Sequence, residues 1–425
     1  MRHVIIGNSA AGVSAAETIR RISPESSITI ISEEDYPAYS RCLLPDFLAG
    51  DIGGESLTIR SSNFYSKNSI ETRLGKKATA LDTDKRQVVL ENGESVPYDR
   101  LLIATGSVTT FPPLEGIGLP GVFGLRTLGD ARKILKAAGA ARRVVVVGAG
   151  LVGLEAAYAL YRRGLEVTVV EKASRIVPQQ FDPTASKVLM KDMESEGIRI
   201  ILNTGIKGIV GRPLWERLFG RKGKGVVLED GSKLKGELVL VATGARPNTD
   251  LVKGTGVRVN RGIVVDDYMQ TSVPEIYAAG DVAETVDPVT GQPSLTPIWP
   301  NAMVQGRNAG YNMAGCPRKY SALIGMQNAV EFREVPAIAA GVTLADPGEY
   351  EILTEYRPDQ NIYKKLVIKD NVLKGIILVG DISGAGILCA LIRKKSDISS
   401  FKHFLLLERF GYGHFLKKAV GGYNA

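Results

Sequence analysis

Residues 3–22, HVIIGNSAAGVSAAETIRRI, place a short apolar run, Val4–Ile6, directly before a small-residue turn and an alanine-rich stretch. An apolar run of this length stopped by glycine reads as a buried strand, and the alanine-rich stretch as a helix. A second strand, Ser27–Ile31, follows and ends at Ser32-Glu33-Glu34. The same order returns in residues 141–177, ARRVVVVGAGLVGLEAAYALYRRGLEVTVVEKASRIV. Here the strand is Val144–Val147, a glycine turn and helix follow, and a second strand, Val167–Val170, ends in Glu171. Further buried strands close on small residues: LLIATG at 101–106, VLVATGARPN at 239–248 and EIYAAGDVAE at 275–284. Strands alternating with helices in this way predict an α/β fold with parallel sheets.

The two glycine turns carry the chemistry. A strand, a glycine turn and a helix N-terminus put backbone N–H groups and the positive end of the helix dipole where a pyrophosphate binds. In the first turn Gly7 permits the tight bend and Gly12 the close packing of helix on strand, with Ser9, Ala10 and Ala11 between them. Ser9 stands where the dinucleotide fingerprint has its middle glycine. Glu33, about 20 residues on, is expected to accept a ribose diol, in preference to its neighbour Glu34. The second turn, Gly148-x-Gly150-x-x-Gly153, is complete, with Val152 beside its last glycine. Glu171 suits the free 2′-hydroxyl of NAD and would repel a 2′-phosphate, although Lys172 and Arg175 nearby keep NADP open. Gly106 and Gly244 let backbone approach a ligand closely, and Asp281, at a strand's C-terminal end, can bond a polyol hydroxyl.

At 425 residues the chain is long enough for two to four domains. No apolar run approaches the roughly 18 residues that cross a bilayer. The opening strand pattern argues against a signal peptide. Three cysteines, Cys42, Cys316 and Cys389, form no C-x-x-C pair, and there are three histidines. These counts argue against a disulfide scaffold or a metal centre and fit a reducing cytoplasm. The net charge of +8 is concentrated, with +4 in residues 211–225 and +5 in residues 391–425, so the remainder is about neutral (8 − 4 − 5 = −1). Trp215, Leu218 and Phe219 interleave with the first cluster, and aromatic residues with the second. Such surfaces suit an acidic electron-carrier protein or an iron–sulfur partner subunit. They are weaker grounds for a membrane surface, and for nucleic acid they offer charge alone.

In order, the motifs GNSAAG, ATGS, GAGLVG, ATGARPN and IYAAGD resemble the pyridine nucleotide–disulfide oxidoreductase superfamily, flavoprotein reductases with two Rossmann-like domains. The resemblance implies FAD on the first motif, with contacts at Arg41, Cys42, Ala78, Ala104, Thr105, Gly106, Gly280 and Asp281. It implies NAD(H) on the second, with Glu155 near the nicotinamide–flavin contact. The FAD-binding domain would be discontinuous, 1–112 and 245–318, around an NAD(P)-binding domain at 113–244. Residues 319–425 would form a C-terminal α+β interface domain with strands near 323–331, 351–357, 364–370 and 372–379 and a helix from about Ala385 to Lys395. In relatives that domain builds a homodimer, and a place in a larger complex is the other expectation.

The electron acceptor turns on YSRCLLPDFLAG, residues 39–50. The absence of a cysteine pair excludes the glutathione- and thioredoxin-reductase branches. Arg41-Cys42-Leu43-Leu44-Pro45 resembles the single-cysteine branch of NADH oxidases, peroxidases and coenzyme A disulfide or persulfide reductases. There Arg41 and a following helix dipole would lower the thiol's pKa. Members serving protein acceptors share the aromatic-x-Arg stretch and do not need the cysteine, and Leu43 stands where the thiol branch prefers a small residue. The expectation is therefore an FAD enzyme linking NAD(H) to a ferredoxin-type or iron–sulfur acceptor. The alternatives are thiol chemistry at Cys42 and a redox-sensing flavoprotein. Cys316 and Cys389 are expected to be structural.

Overall fold

The computed structural model describes residues 1–211, 224–321, 325–407 and 411. The chain forms two compact units. The first takes Met1–Phe47, Ile52–Val108 and Ala245–Gly325, and the second takes Leu48–Asp51, Thr109–Gly244 and Met326–Ala425.

The main sheet of the first unit runs, in spatial order, Ile276–Ala278, Arg100–Ile103, Arg2–Ile6, Ser27–Ser32 and Ile70–Leu74. Every pairing is parallel. Its central strands are continuous apolar runs because both faces are covered, and Ile5, Ile30 and Leu102 are fully buried. On one face the Ala10–Ile22 and Trp299–Met313 helices lie against each other. They come this close because Gly306 and Gly310 have no side chain at the contact. A Cβ on Gly306 would lie 2.1 Å from the Ala11 carbonyl oxygen, and one on Gly310 2.7 Å from that of Ala15.

The second unit repeats the plan, in the order Arg199–Ile201, Glu166–Val170, Arg143–Val147, Leu238–Val241 and Val122–Phe123, again all parallel. It also holds an antiparallel sheet in the order Gln327–Glu331, Pro336–Gly341, Val372–Val379, Ile362–Lys369 and Glu351–Arg357. The last two-residue hairpin loop, Asp370-Asn371, has both φ angles positive (53° and 56°), the primed turn that matches strand twist. The Ala385–Lys394 helix packs on this sheet and stops at Lys395, whose φ is 50°. The Pro336–Gly341 strand is an addition to the sequence reading, since its proline and small residues carry no strand signal. Asp182, which caps the Pro183–Glu194 helix, accepts the Tyr363 hydroxyl at 2.7 Å and pairs with Lys365 at 3.2 Å, so this sheet is fastened to that helix. Burial, and then the Asp182 carboxylate, push the Tyr363 phenol up.

Most of the 211–225 cluster, including Trp215, Leu218, Phe219, Arg221 and Lys222, lies outside the described residues, as do 408–410 and 412–425 of the basic tail. No described helix is long and apolar enough to cross a membrane.

Candidate active site

In the first unit, three loops at the C-terminal ends of parallel strands converge. Gly7 has φ +127°, and a Cβ there would sit 2.1 Å from the Ala104 carbonyl oxygen. Gly12 meets the Gly7 carbonyl in the same way, at 1.9 Å. Gly280, with φ +83°, lies against Ala11, and the Ser107 hydroxyl donates to Asp281 at 3.0 Å. The motifs at 7–12, 104–107 and 280–281 therefore form one cradle at the start of the Ala10–Ile22 helix. Thr105 donates its hydroxyl to the Asn248 carbonyl at 2.7 Å, which ties Asn248 to this cradle. The Ser9 side chain makes no capping bond to the first-turn N–H groups, which are the donors a helix N-terminus offers an anion.

The second unit builds the equivalent cradle. Gly148 has φ +106° and a Cβ there would lie 2.5 Å from the Ala242 carbonyl oxygen; at Gly153 the corresponding distance, to the Gly148 carbonyl, is 2.1 Å. Gly150 differs, because a Cβ there would meet no protein atom within 4 Å. The fold thus leaves room for a side chain at the middle position of such a turn, in keeping with Ser9 at that position in the first turn. Glu171 accepts N–H groups from Ala149 (2.7 Å) and Ala173 (2.8 Å) at the end of its strand. Arg175 spends its guanidinium on the carbonyls of Phe181 and Pro178, and Lys172 sits 3.5 Å from Glu229. Glu155 is half-buried in the first half of the Leu151–Arg162 helix, beside exposed Val152. Gly244, φ +119°, is exposed with open space around it.

The two acids after the second strand have different surroundings. Glu33 is exposed and pairs with Lys77 at 3.1 Å, next to Ala78 at the start of the Ala78–Asp82 strand. Glu34 is half-buried and accepts both the Tyr39 hydroxyl and the Arg41 guanidinium at 2.6 Å. Arg41 also lies over the Tyr39 ring. Cys42 is exposed in a 3-10 turn, Arg41–Leu43, and the helix after it, Leu44–Ala49, has six residues. Cys316 is exposed in its turn, while burial pushes the half-buried Cys389 thiol up.

Sequence reasoning missed several residues of the first cradle. Asn8 donates to the Tyr36 carbonyl and accepts from the Tyr65 hydroxyl, which pins the glycine turn to the 36–38 segment. Gln305, from the Trp299–Met313 helix, accepts the Gly280 N–H at 2.7 Å. The available signal was the run of amides at 301, 305, 308 and 312, spaced along one face of a helix otherwise rich in small residues.

Two cradles of this kind, each with glycines that a side chain would obstruct, define a protein built to hold two dinucleotides. Residues 1–306 match the family model "Pyridine nucleotide-disulphide oxidoreductase", and residues 334–396 match "Rubredoxin NAD+ reductase C-terminal domain". The chain belongs to the pyridine nucleotide-disulphide oxidoreductase family, whose members contain FAD and bind NAD(H). It is 32% identical over 402 residues to the assimilatory nitrate reductase electron transfer subunit of Bacillus subtilis, covering 94% of this chain and 50% of that one. It is 32% identical to the epsilon subunit of the NADH-dependent phenylglyoxylate dehydrogenase of Aromatoleum evansii, covering 94% and 93%. Among solved structures it resembles an NAD-dependent persulfide reductase from A. fulgidus, with a TM-score of 0.85, 30% identity and coverage of 94% and 78%. The chain spans about half the length of the two Bacillus subtilis relatives it matches.

Proposed function

We propose that this chain is the NADH-oxidising flavoprotein of an electron-transfer system and that its acceptor is a rubredoxin- or ferredoxin-type protein or an iron–sulfur subunit. The observation that carries the reading is the match of residues 334–396 to the C-terminal domain of rubredoxin reductases. When bound, FAD supplies hydride acceptance and single-electron release. The chain's own residues hold and orient. The Gly7–Gly12 turn takes the FAD pyrophosphate, Glu33 its ribose and Asp281 its ribityl chain, while Glu34 is already engaged by Tyr39 and Arg41. Gly148–Gly153 takes the NADH pyrophosphate, and Glu171 its adenosine ribose. Arg175 is committed to two backbone carbonyls and Lys172 lies 3.5 Å from Glu229, which leaves Glu171 to repel a 2′-phosphate. This favours NADH over NADPH. Positioning of the two reactants supplies much of the acceleration, so no strong acid or base is required.

The rival is thiol chemistry at Cys42, and the persulfide reductase likeness keeps it in play. Against it, Arg41 is charge-compensated by Glu34 and the helix that follows is one of six residues. A Cys42→Ser variant discriminates. NADH-driven reduction of an artificial dye and of a ferredoxin should keep kcat/KM within about twofold, with NADPH the poorer donor in the same assays. NADH-driven disulfide or peroxide reduction that Cys42→Ser abolishes while dye reduction is kept would establish the thiol route instead.

A further inference from the structure

The Trp299–Met313 helix buries four amides, Asn301, Gln305, Asn308 and Asn312, where a helix packed on another helix would ordinarily place apolar side chains. Two of them are among the most buried polar residues of the chain, Asn301 and Gln305, each 1% exposed. A buried amide is retained at little cost only when both its donor and its acceptor sides are satisfied. Gln305 uses its acceptor side in a particular way. Its Oε1 accepts the Gly280 N–H at 2.7 Å. Tyr320, close to Gln305, donates to Asn301 Oδ1. The helix backbone at this point has no room to move, because neighbouring Gly306 is packed against the Ala11 carbonyl oxygen.

We propose that Gln305 is a positioning residue for the flavin. Its side-chain carbonyl fixes the Gly280-Asp281 turn. Gly280 is held at φ +83°, a backbone conformation that needs an external tether to be the sole one populated, and Asp281 takes its direction from it. Both Ser107, on one side of Asp281, and Gln305, on the other side of the turn, are then needed to aim the carboxylate. Glutamine is the residue that fits. It accepts the Gly280 N–H without placing a charge in a buried site, whereas an aliphatic side chain would leave that N–H buried without an acceptor. The inference rests on FAD occupying this cradle.

The test compares FAD-loaded full-length variants. The wild-type flavin content is measured first, since a wild type that takes up no FAD would defeat the cofactor reading and not this one. Gln305→Met keeps the volume and removes both amide functions. Asn308→Ala is the structural control, a buried amide on the same helix whose Nδ2 donates to the Val304 carbonyl. The readouts are the rate of FAD release by flavin fluorescence after dilution, the flavin midpoint potential and the thermal midpoint. Loss of a buried hydrogen bond predicts FAD release about tenfold faster in Gln305→Met, with a shifted midpoint potential. Asn308→Ala should lower the thermal midpoint and leave FAD release as in the wild type. Wild-type FAD release in Gln305→Met, or FAD release that follows the thermal midpoint equally in Asn308→Ala, would overturn the proposal. Where Gln305→Met gives no folded holoprotein, Gln305→Leu takes its place, and wild-type FAD release in that variant overturns the proposal.

Discussion

His3 shows how a single residue can carry a pH dependence that the site chemistry does not explain. It lies in the first strand, 1% exposed, and neither ring nitrogen has a hydrogen-bond partner. Burial, and then the charge of Arg100, hold its imidazole down to about 4. The unfolded chain takes up this proton near pH 6.5, whereas the folded chain refuses it until about 4. Stability is therefore full above pH 6.5 and falls as the pH drops towards 4, with a slope of about 1.4 kcal/mol per unit for this one group. Urea unfolding of wild type and His3→Leu at several pH values isolates the effect from other titrations. The stability difference should widen in favour of His3→Leu from pH 7 down to pH 4 and then level off. A difference independent of pH would exclude His3 as the source. At this scale the sequence was only partly legible. The glycines that bend the turns were evident because their backbone need is local. The partners of Asn8 and Gln305 were hidden because they come from segments 28 and 25 residues away.

At the scale of elements, most of the fold could be read directly. The strand–turn–helix units announce themselves by a change of period from a continuous apolar run to helical spacing, and both sheets have the strands expected next to each turn. What could not be read was the Pro336–Gly341 strand, and the pairing of the Ala10–Ile22 helix with one almost 300 residues later. Their signals are small residues, which pattern analysis treats as silent. The glycines of one turn also have separable roles. Gly153→Ala would drive a Cβ to 2.1 Å of the Gly148 carbonyl oxygen and should destabilise the second unit by about 1–3 kcal/mol. Gly150→Ala meets no protein atom, so it should leave the melting temperature unchanged and raise the KM for NADH. Thermal melts and steady-state kinetics on the two variants check this. Equal loss of stability in both would mean that the middle glycine serves the fold.

On the scale of the whole molecule, the net charge of +8 is a statement about encounter and not about fold. The excess sits in two short segments, and nucleotide sites need neither. An acidic carrier approaching such a surface is steered over distances that added salt shortens, from a Debye length of about 10 Å at 0.1 M to about 3 Å at 1 M. If the acceptor is an acidic iron–sulfur protein, kcat/KM for its reduction should fall by about tenfold between low salt and 0.5 M, while reduction of an uncharged dye stays constant. Charge reversal of Arg221 and Lys222 to glutamate should lower the low-salt rate with the protein acceptor and flatten its salt dependence, with no change in the dye reaction. The dye reaction is what gives the comparison its force. It reports NADH oxidation with no protein–protein encounter, so a loss confined to the protein acceptor locates the effect at docking. Salt-independent reduction of the protein acceptor would remove electrostatic steering from the account. It would leave the thiol at Cys42, whose substrates are small, as the better explanation of where the electrons go.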